Sequence, residues 1–421
     1  MTQLNLSVAA AVAIAVQSIA PQAAPPIAGT VPDSGTPVAR LGNSTYVDLE
    51  AGVGYGTNPQ LRILDSQAEG FGRASVHLVH TRKSERAATI LSAYGENITY
   101  TGNGKSQQLV IITAHHDAAV SERLRVFSNL SASLNSGGQL GNRFVNIPVS
   151  GLLSGPVIGP TLPPPDVTFL SVNDREYHVG GQLGLVAQVN ARDTLTVTGE
   201  ADYGFSRGGF RRHYAELSGL AGYERRLNER WTLGARVGVD QANYSNAADS
   251  TIFTPQATAH YQVSERWNVF GAIGASIADV KSNGISDRST GLALDAGLCH
   301  QGKASSMCGH VSRSQQRATT FGPVKLLSFD LDYSRRLDAK QTIQLSAGIS
   351  RSTSTANSFA LTVPFTNVTY VRSAAVLTRE LNTKLFGGVN VGARKFTQIG
   401  PDPKADVSGF IFLRYRLGDV R

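Results

Sequence analysis

Residues 193–206 read DTLTVTGEADYGFS, and this stretch decides the fold. Its side chains alternate in polarity with a period of two. One face carries only apolar, small or aromatic residues: Leu195, Val197, Gly199, Ala201, Tyr203 and Phe205. The other face carries polar and acidic residues: Thr194, Thr196, Thr198, Glu200, Asp202 and Ser206. Because successive side chains of a strand point to opposite faces, the pattern predicts a β-strand with one apolar and one polar surface.

Runs of the same kind recur along the chain. YVDLEAGVGYG at 46–56, WTLGARVGVD at 231–240 and VKLLSFDLDYS at 324–334 all alternate with a period of two. The runs last about ten to fourteen residues, against five or six in soluble strands and the nine to eleven that cross a bilayer. A soluble all-β protein also alternates, but the run length favours strands that span a membrane.

Two kinds of connection separate the runs. Short polar turns contain Asn, Ser or Asp near a charged residue: VSERL at 120–124, VNARDTL at 189–195, LNERW at 227–231, VSERW at 263–267, LDAKQTI at 337–343 and LNTKL at 381–385. Such side chains favour turns because they bond to nearby backbone. Looser connections are rich in Gly, Ser and Asn: TGNGKS at 101–106, SRGG at 206–209 and KSNGISDRS at 281–289. Short turns at one end and longer loops at the other are typical of transmembrane barrels.

The predicted fold class is therefore all-β, a single transmembrane antiparallel up-and-down β-barrel of about eighteen strands, with sixteen as the alternative if neighbouring runs merge. Strands are predicted to begin near residues 45, 71, 86, 107, 122, 176, 193, 211, 229, 251, 265, 287, 305, 324, 340, 361, 383 and 405. An even count places both chain ends on the periplasmic side. A barrel of this width cannot fill its interior with its own wall side chains, so we expect a water-filled or loop-plugged lumen.

Aromatic and charged residues take distinct places in this scheme. Aromatics near run ends are predicted to form the girdle at the lipid–water boundary: Trp231, Trp267, Tyr203, Tyr333 and Tyr415. Charged residues on the polar faces are predicted to line the lumen: Asp48, Glu50, Arg125, Glu200, Asp202, Arg236, Asp240, Asp295, Asp330, Asp332, Arg394, Arg414 and Arg416. Since this set mixes both signs, we expect weak ion selectivity or a mild cation preference.

Composition favours an exported membrane protein over a nucleic-acid-binding one. The net charge is +8, but there is no run of five or more Lys or Arg, so we expect anionic outer-membrane lipid and not nucleic acid as a partner. Residues 1–26, with the apolar stretch Val8–Val16, predict a signal peptide. The first basic residue is Arg40, so the usual basic start is missing, and the cleavage site cannot be read. Residues 27–43 are predicted to form a periplasmic linker and 44–421 the barrel.

The two cysteines, Cys299 and Cys308, stand in the segment LCHQGKASSMCG. If the hairpin turns midway between them, antiparallel pairing sets them directly opposite each other on one face, with Cβ atoms about 4.5–5.5 Å apart. We therefore predict a disulfide at a non-hydrogen-bonded position facing the lumen. A metal site with the neighbouring histidines is the less favoured alternative, since two further ligands at short spacing are missing. No cofactor is expected.

One connection, residues 135–175, is far longer than the others. Its Pro and Gly content excludes regular structure, yet it carries apolar side chains such as Phe144, Ile147 and Phe169. A free surface loop would not need this apolar surface. The segment is predicted to enter the lumen, to pack across the mouth or to meet a partner, with a surface loop as the alternative.

Catalytic residues are not expected in this chain. The segment ITAHHDAAV offers His115, His116 and Asp117, but adjacent residues of a strand point to opposite faces, so the two histidines cannot act together. No nucleophile lies at a sequence spacing from these residues that would indicate a catalytic set. We therefore expect a channel and not an enzyme.

The opening run YVDLEAGVGYGTNP at 46–59, followed by SVHLVHTRKSERAATILSAYG at 75–95, resembles the β-barrel porin 2 family over residues 44–421. The resemblance implies a Gram-negative outer-membrane channel associated with exopolysaccharide production and export, and it transfers no binding or catalytic residue. The expected function is therefore a porin or channel for hydrophilic solutes, with polysaccharide as the leading substrate. A structural or adhesive barrel with a plugged lumen is the alternative.

The last run indicates how the barrel would be assembled. The chain ends in LRYRLGDVR and lacks the terminal aromatic usual in signals for the barrel-assembly machinery. Phe410, Phe412 and Tyr415 still close the last predicted strand. We therefore expect this machinery to be a partner that reads a weakened signal.

Overall fold

The computed structural model describes residues 42–61, 66–102, 106–136, 175–207, 212–245, 249–282, 285–318, 322–354, 367–397 and 404–418. These residues form eighteen strands: β1 (Gly42–Gly56), β2 (Glu69–Lys83), β3 (Ala87–Tyr100), β4 (Ser106–Ala119), β5 (Leu124–Ser136), β6 (Arg175–Gln188), β7 (Asp193–Arg207), β8 (Arg212–Arg226), β9 (Trp231–Tyr244), β10 (Asp249–Gln262), β11 (Trp267–Ser282), β12 (Ile285–Gln301), β13 (Ser305–Ala318), β14 (Gly322–Arg336), β15 (Gln341–Ser354), β16 (Asn367–Glu380), β17 (Leu385–Thr397) and β18 (Asp406–Gly418).

The strands form one closed sheet. Each strand pairs antiparallel with its neighbours in sequence, and β1 closes the ring by pairing with β18. This confirms the all-β up-and-down barrel and decides for eighteen strands against sixteen. None of the described residues forms a helix long and apolar enough to cross a membrane.

Strand positions follow the predicted ones closely. Seventeen of the eighteen strands begin within three residues of the predicted start, and β16 begins at Asn367, six residues after the predicted 361. The barrel wall starts at Gly42, so it includes the last residues of the predicted linker 27–43. The predicted signal peptide 1–26 and nearly all of the long connection 135–175 lie outside the described residues.

The connections differ between the two ends of the barrel. Eight turns of three or four residues join each even-numbered strand to the next odd-numbered one. Connections at the other end range from two residues between β11 and β12 to thirty-eight between β5 and β6. The short turns mark the periplasmic end, because transmembrane barrels keep short turns there and longer loops outside.

A polar side chain braces most of the short turns. The Asn228 Oδ1 atom accepts hydrogen bonds from the backbone N–H groups of Arg230 and Trp231, each at 2.9 Å. Equivalent oxygens accept from N–H groups two or three residues further on at Ser84, Ser121, Asn190, Ser264, Asp338 and Asn382. The repeated Asn, Ser or Asp of the sequence therefore fixes the geometry of these turns.

Aromatic rings on the inner face lie flat against the wall. Tyr214 stands opposite Gly204, where an added Cβ atom would come within 2.2 Å of the ring. Phe412 covers Gly388 in the same way, with 2.3 Å to the position of a Cβ atom. Because glycine leaves room on the neighbouring strand, these large side chains do not have to project into the lumen.

The ladder between β12 and β13 is shorter than the strands themselves. Pairing extends from Gln301–Ser306 at the periplasmic turn to Leu294–Arg313 and ends there. Beyond this point, Gln315 accepts a hydrogen bond from the Ser289 hydroxyl and donates one to the Ser276 carbonyl on β11, at 3.0 and 3.3 Å. The outer end of β13 therefore leans across the inner face of β12.

Candidate functional site: the inner wall of the barrel

The inner wall is formed by alternate residues of every strand. The predicted lumen residues that are buried on it are Asp48, Glu50, Glu200, Asp202, Arg236, Asp295 and Arg394. Asp240, Asp330, Arg414 and Arg416 are half-buried, and Arg125 and Asp332 are exposed near the periplasmic rim. The register places all of them on the face that alternates with the exposed apolar residues.

A chain of ion pairs crosses the line where β1 meets β18. Glu50 on β1 accepts hydrogen bonds from Arg73 on β2 at 2.7 Å and from Arg414 on β18 at 2.7 and 2.9 Å. Arg73 also donates to Glu96 on β3 at 2.6 Å. Since the Arg73, Glu50 and Glu96 side chains are at most 8% exposed, this network is sheltered from water.

A second ion pair lies nearer the periplasmic end of the same wall. The Arg416 guanidinium donates to both carboxylate oxygens of Asp48, at 2.6 and 2.7 Å. It also stands over the Tyr46 ring, with 4.6 Å between its central carbon and the ring centre. Bidentate pairing and ring contact together hold the arginine against the wall and keep it from extending into the lumen.

At the outer end of this wall, a buried arginine holds the β1–β2 connection in place. Arg394 on β17 donates to Asp406 at 3.0 Å and to the Pro59 carbonyl at 2.7 Å. Leu61, which follows in the same β1–β2 connection, packs against Val368, Tyr370 and Phe396. The connection after β1 is therefore folded inward over β16 and β17.

The opposite wall, on β6 to β9, has a different chemistry. Its described inward positions are rich in carboxylates: Glu176, Glu200, Asp202, Glu216, Glu224 and Asp240. Histidines contact two of them, His178 with Asp202 at 2.7 Å and His260 with Glu224 at 3.3 Å. Beyond this wall, Asp295 on β12 accepts a hydrogen bond from Arg236 on β9 at 3.0 Å and contacts His310 on β13 at 2.6 Å.

Uncharged polar groups line the inner wall at two separate places. Ser312 and Ser328 share a hydrogen bond of 2.7 Å between β13 and β14. Asn129 on β5 donates to Gln182 at 2.8 Å. These surfaces offer hydroxyl and amide groups, which both donate and accept hydrogen bonds.

Solvent reaches the two halves of the inner wall unequally. Phe396 and Phe386 both point inward from β17, but Phe396, near the outer end, is fully buried while Phe386, near the periplasmic end, is half-buried. Ile98, Tyr100 and Val368, also near outer strand ends, are each 1% exposed. The lumen is therefore more tightly packed in its outer half than in its periplasmic half.

The histidine pair of the sequence is split between the two faces. His115 points inward and contacts Asn129, while His116 points outward and contacts Thr89. The two imidazoles therefore share no site. In the described part of the chain, no group of three or more His, Cys, Asp or Glu could hold a metal ion.

The predicted girdle aromatics all point outward. Trp231, Trp267, Tyr333 and Tyr415 lie at the periplasmic ends of their strands, and Tyr203 lies towards the outer end of β7. Trp231 stacks on Tyr261, with ring centres 4.4 Å apart. Exposed apolar side chains such as Val53, Leu183 and Ile411 cover the surface between the two ends.

These features identify the membrane in which the protein lies. An even-numbered closed barrel with an apolar exterior, aromatics at both ends and short turns at one end is the architecture of bacterial outer-membrane proteins. The protein therefore lies in the bacterial outer membrane with its short turns in the periplasm.

Cys299 and Cys308 form a disulfide on the inner face of the β12–β13 hairpin. The register sets them directly opposite each other, with Cα atoms 4.1 Å apart. Such a short separation is that of a non-hydrogen-bonded pair in an antiparallel ladder.

Several inner-wall residues were not singled out from the sequence, among them Arg73, Glu96, Glu216 and Arg372. The alternation of Arg73, Ser75 and His77 with Ala74, Val76 and Leu78 was a signal that could have revealed Arg73. Glu96 gave no such signal, because its inward neighbours Tyr94 and Ile98 are more apolar than the outward Asn97 and Thr99.

Comparisons with known proteins assign the chain to no family. No family model matches the chain, and no curated protein matches it either. Among solved structures, OccK2 (OpdF) of Pseudomonas aeruginosa is similar, with a TM-score of 0.44 and 11% identity over 90% of this chain and 98% of that one. OpdL of the same organism has a TM-score of 0.41 and 10% identity over 89% and 99%. The copper transporter OprC has a TM-score of 0.45 and 10% identity over 90% and 80%.

Proposed function

We propose that the protein is a passive channel that carries hydrophilic solutes across the outer membrane. The observation that carries the proposal is the opposition of two surfaces on one closed sheet: apolar side chains face lipid, while charged, hydroxyl and amide side chains face inward. Barrels of sixteen to eighteen strands leave room for an aqueous channel. A polar wall lowers the cost for a hydrated solute to pass.

Polysaccharide, moved outward during export, is the substrate we propose. The sequence resemblance to the β-barrel porin 2 family, drawn over residues 44–421, supports this choice. The hydroxyl and amide groups of Asn129, Gln182, Ser312 and Ser328 support it too, because sugar hydroxyls both donate and accept hydrogen bonds. Uptake of neutral oligosaccharides of increasing length into proteoliposomes, followed by osmotic swelling, tests it. Swelling with oligosaccharides is expected, and swelling with small ions only would contradict a saccharide channel.

The mixed charge of the inner wall leads to a prediction about ions. Arginines at the β1–β18 line are matched by carboxylates, whereas the wall on β6 to β9 is rich in acids, so reversal potentials should show weak selectivity or a mild preference for cations. Glu224→Gln, which removes a carboxylate from the solvent-accessible periplasmic half, should shift the preference towards anions. Asp279→Asn on the outer surface is the matched control and should cause no shift. A steep anion preference of the unaltered protein would contradict the assigned inner face.

A structural or adhesive barrel with a plugged lumen is the second candidate. The burial of Ile98, Tyr100, Val368 and Phe396 near the outer strand ends favours it, because an open lumen would expose such side chains. A plugged barrel would carry no steady current in a bilayer.

A further inference from the structure

Four basic side chains form a patch on the lipid-facing surface of β13 to β17. They are Arg313, Lys325, Arg351 and Lys395, and each lies within five residues of the outer end of its strand. All four alternate with inward residues such as Ser312, Leu326, Ser352 and Arg394, which are buried. They therefore point away from the lumen, near the outer edge of the barrel.

Three of the four surround one apolar side chain. Leu327 on β14 stands directly opposite Arg313 on one side and Arg351 on the other. Two strand spacings separate these arginines by about 10 Å. Lys325 precedes Leu327 by two residues on the same face, about 7 Å closer to the outer rim. Leu327 is therefore enclosed by a triangle of positive charges.

No acidic residue balances the patch. None of the described outward positions of β13 to β17 carries Asp or Glu, and no ion pair within the described residues involves the four basic side chains. On the neighbouring β11 and β12, by contrast, Arg288 lies 3.6 Å from Asp279. Because like charges in proximity repel one another, anionic groups from outside the chain would stabilise the patch.

An apolar surface lies directly on the membrane side of the patch. Phe329, Ile349 and Val371 follow on the same face, and they are between 44% and 46% exposed. Leu327, inside the triangle, is 45% exposed. A ligand that fits both surfaces has anionic groups at the outer rim and hydrocarbon chains below them.

We propose that this surface binds a phosphate-bearing glycolipid of the outer leaflet, of the lipid A class. Its phosphates would pair with Arg313, Lys325, Arg351 and Lys395, and its acyl chains would lie on Leu327, Phe329, Ile349 and Val371. Phosphate is favoured over a neutral headgroup because arginine binds it through two parallel hydrogen bonds. The proposal rests on the orientation of the barrel and is independent of what passes through it.

The test is binding of bis-phosphorylated lipid A to the purified full-length barrel in detergent, measured by native mass spectrometry. Arg313→Gln with Arg351→Gln should weaken binding by at least about tenfold, since each basic side chain near an anionic lipid surface contributes a several-fold effect. Arg335→Gln with Arg379→Gln is the matched control. These two outward arginines lie at the periplasmic ends of β14 and β16 and should leave binding unchanged. Retained heat-resistant mobility in gels shows that both variants are folded.

Two further probes separate the lipid from its parts. Dephosphorylated lipid A should bind at least about tenfold more weakly than the bis-phosphorylated form, and inorganic phosphate alone should not compete at millimolar concentration. Equal loss in both double variants, or equal binding of the dephosphorylated lipid, would overturn the proposal. Competition by inorganic phosphate at the same concentration as lipid A would show that the patch binds free anions, which would also overturn it.

Discussion

The barrel has two contrasting junctions, β1–β18 and β12–β13. β1 and β18 are far apart in sequence, yet they share eleven ladder pairs and the ion pairs of Glu50 and Asp48. β12 and β13 are joined by a three-residue turn, yet they share eight pairs, and pairing stops halfway along β12. Sequence proximity therefore does not decide which junction is held along its whole length.

Different interactions hold the two junctions. The β1–β18 ladder continues beyond the strands, where Thr57 N–H donates to the Val407 carbonyl at 3.0 Å and Asn58 N–H to the Asp406 carboxylate at 3.1 Å. The β12–β13 turn is closed by a backbone bond from Gly302 to Ser305, without a side-chain brace among the described residues. Two ladder pairs separate the disulfide from that turn, and the disulfide takes the place of the missing brace.

The largest expected effect is at the β1–β18 junction. Glu50→Ala leaves Arg73 and Arg414 without their shared carboxylate in a sheltered site, so the free energy of unfolding should fall by about 3–5 kcal/mol. Asp117→Ala is the control, because its partner Arg125 is 55% exposed, and it should cost no more than about 1 kcal/mol. Urea unfolding in lipid vesicles measures both. Equal losses would show that the junction is not held by its ion pairs.

The disulfide should matter less. Replacing Cys299 and Cys308 by Ser opens a short loop, and the free energy of unfolding should fall by roughly 2–3 kcal/mol at most. Mass spectrometry of the unreduced protein should find no thiol that can be alkylated. Two free thiols would contradict both the pairing and its role at the β12–β13 junction.

The same substitution at the two junctions should have different effects. In Gly52→Ala on β1, the new Cβ atom would lie 2.5 Å from the Ile411 carbonyl oxygen and 2.8 Å from the Phe410 ring. We expect a loss of about 1–3 kcal/mol, because the backbone cannot move aside. In Gly291→Ala on β12, the nearest atom is the Gln315 side-chain nitrogen at 3.2 Å. This flexible group can move, so the change should stay within about 0.5 kcal/mol. A larger loss at Gly291 than at Gly52 would reverse the comparison.

Period-two alternation predicted the architecture, because one face of each strand points to lipid and the other face points to the lumen. The number of strands, the turn residues and the opposed cysteines all follow from that pattern. Alternation fails near the outer rim, where Ile98 and Tyr100 point inward while Asn97 and Thr99 point outward. There the outer face leaves the hydrocarbon region and the inner face is packed, so the polarity of the two faces is reversed.

Long-range partners could not be predicted from the sequence. Glu50 meets Arg414 across 364 residues, and the approach of Gln315 to Ser276 depends on a strand that leaves its ladder. Both depend on how the sheet closes and bends, which local patterns do not contain. The basic patch on β13 to β17 likewise needs the register, because its members come from four different strands.

Single-channel recording in planar lipid bilayers tests the central claim most directly. The purified full-length protein, inserted as a folded barrel, should give discrete and steady conductance steps with weak ion selectivity. The conductance should persist in the variant that lacks both cysteines, because the disulfide holds the wall and does not form the pore. A folded, inserted barrel that stays electrically silent would contradict the channel and establish the plugged barrel in its place.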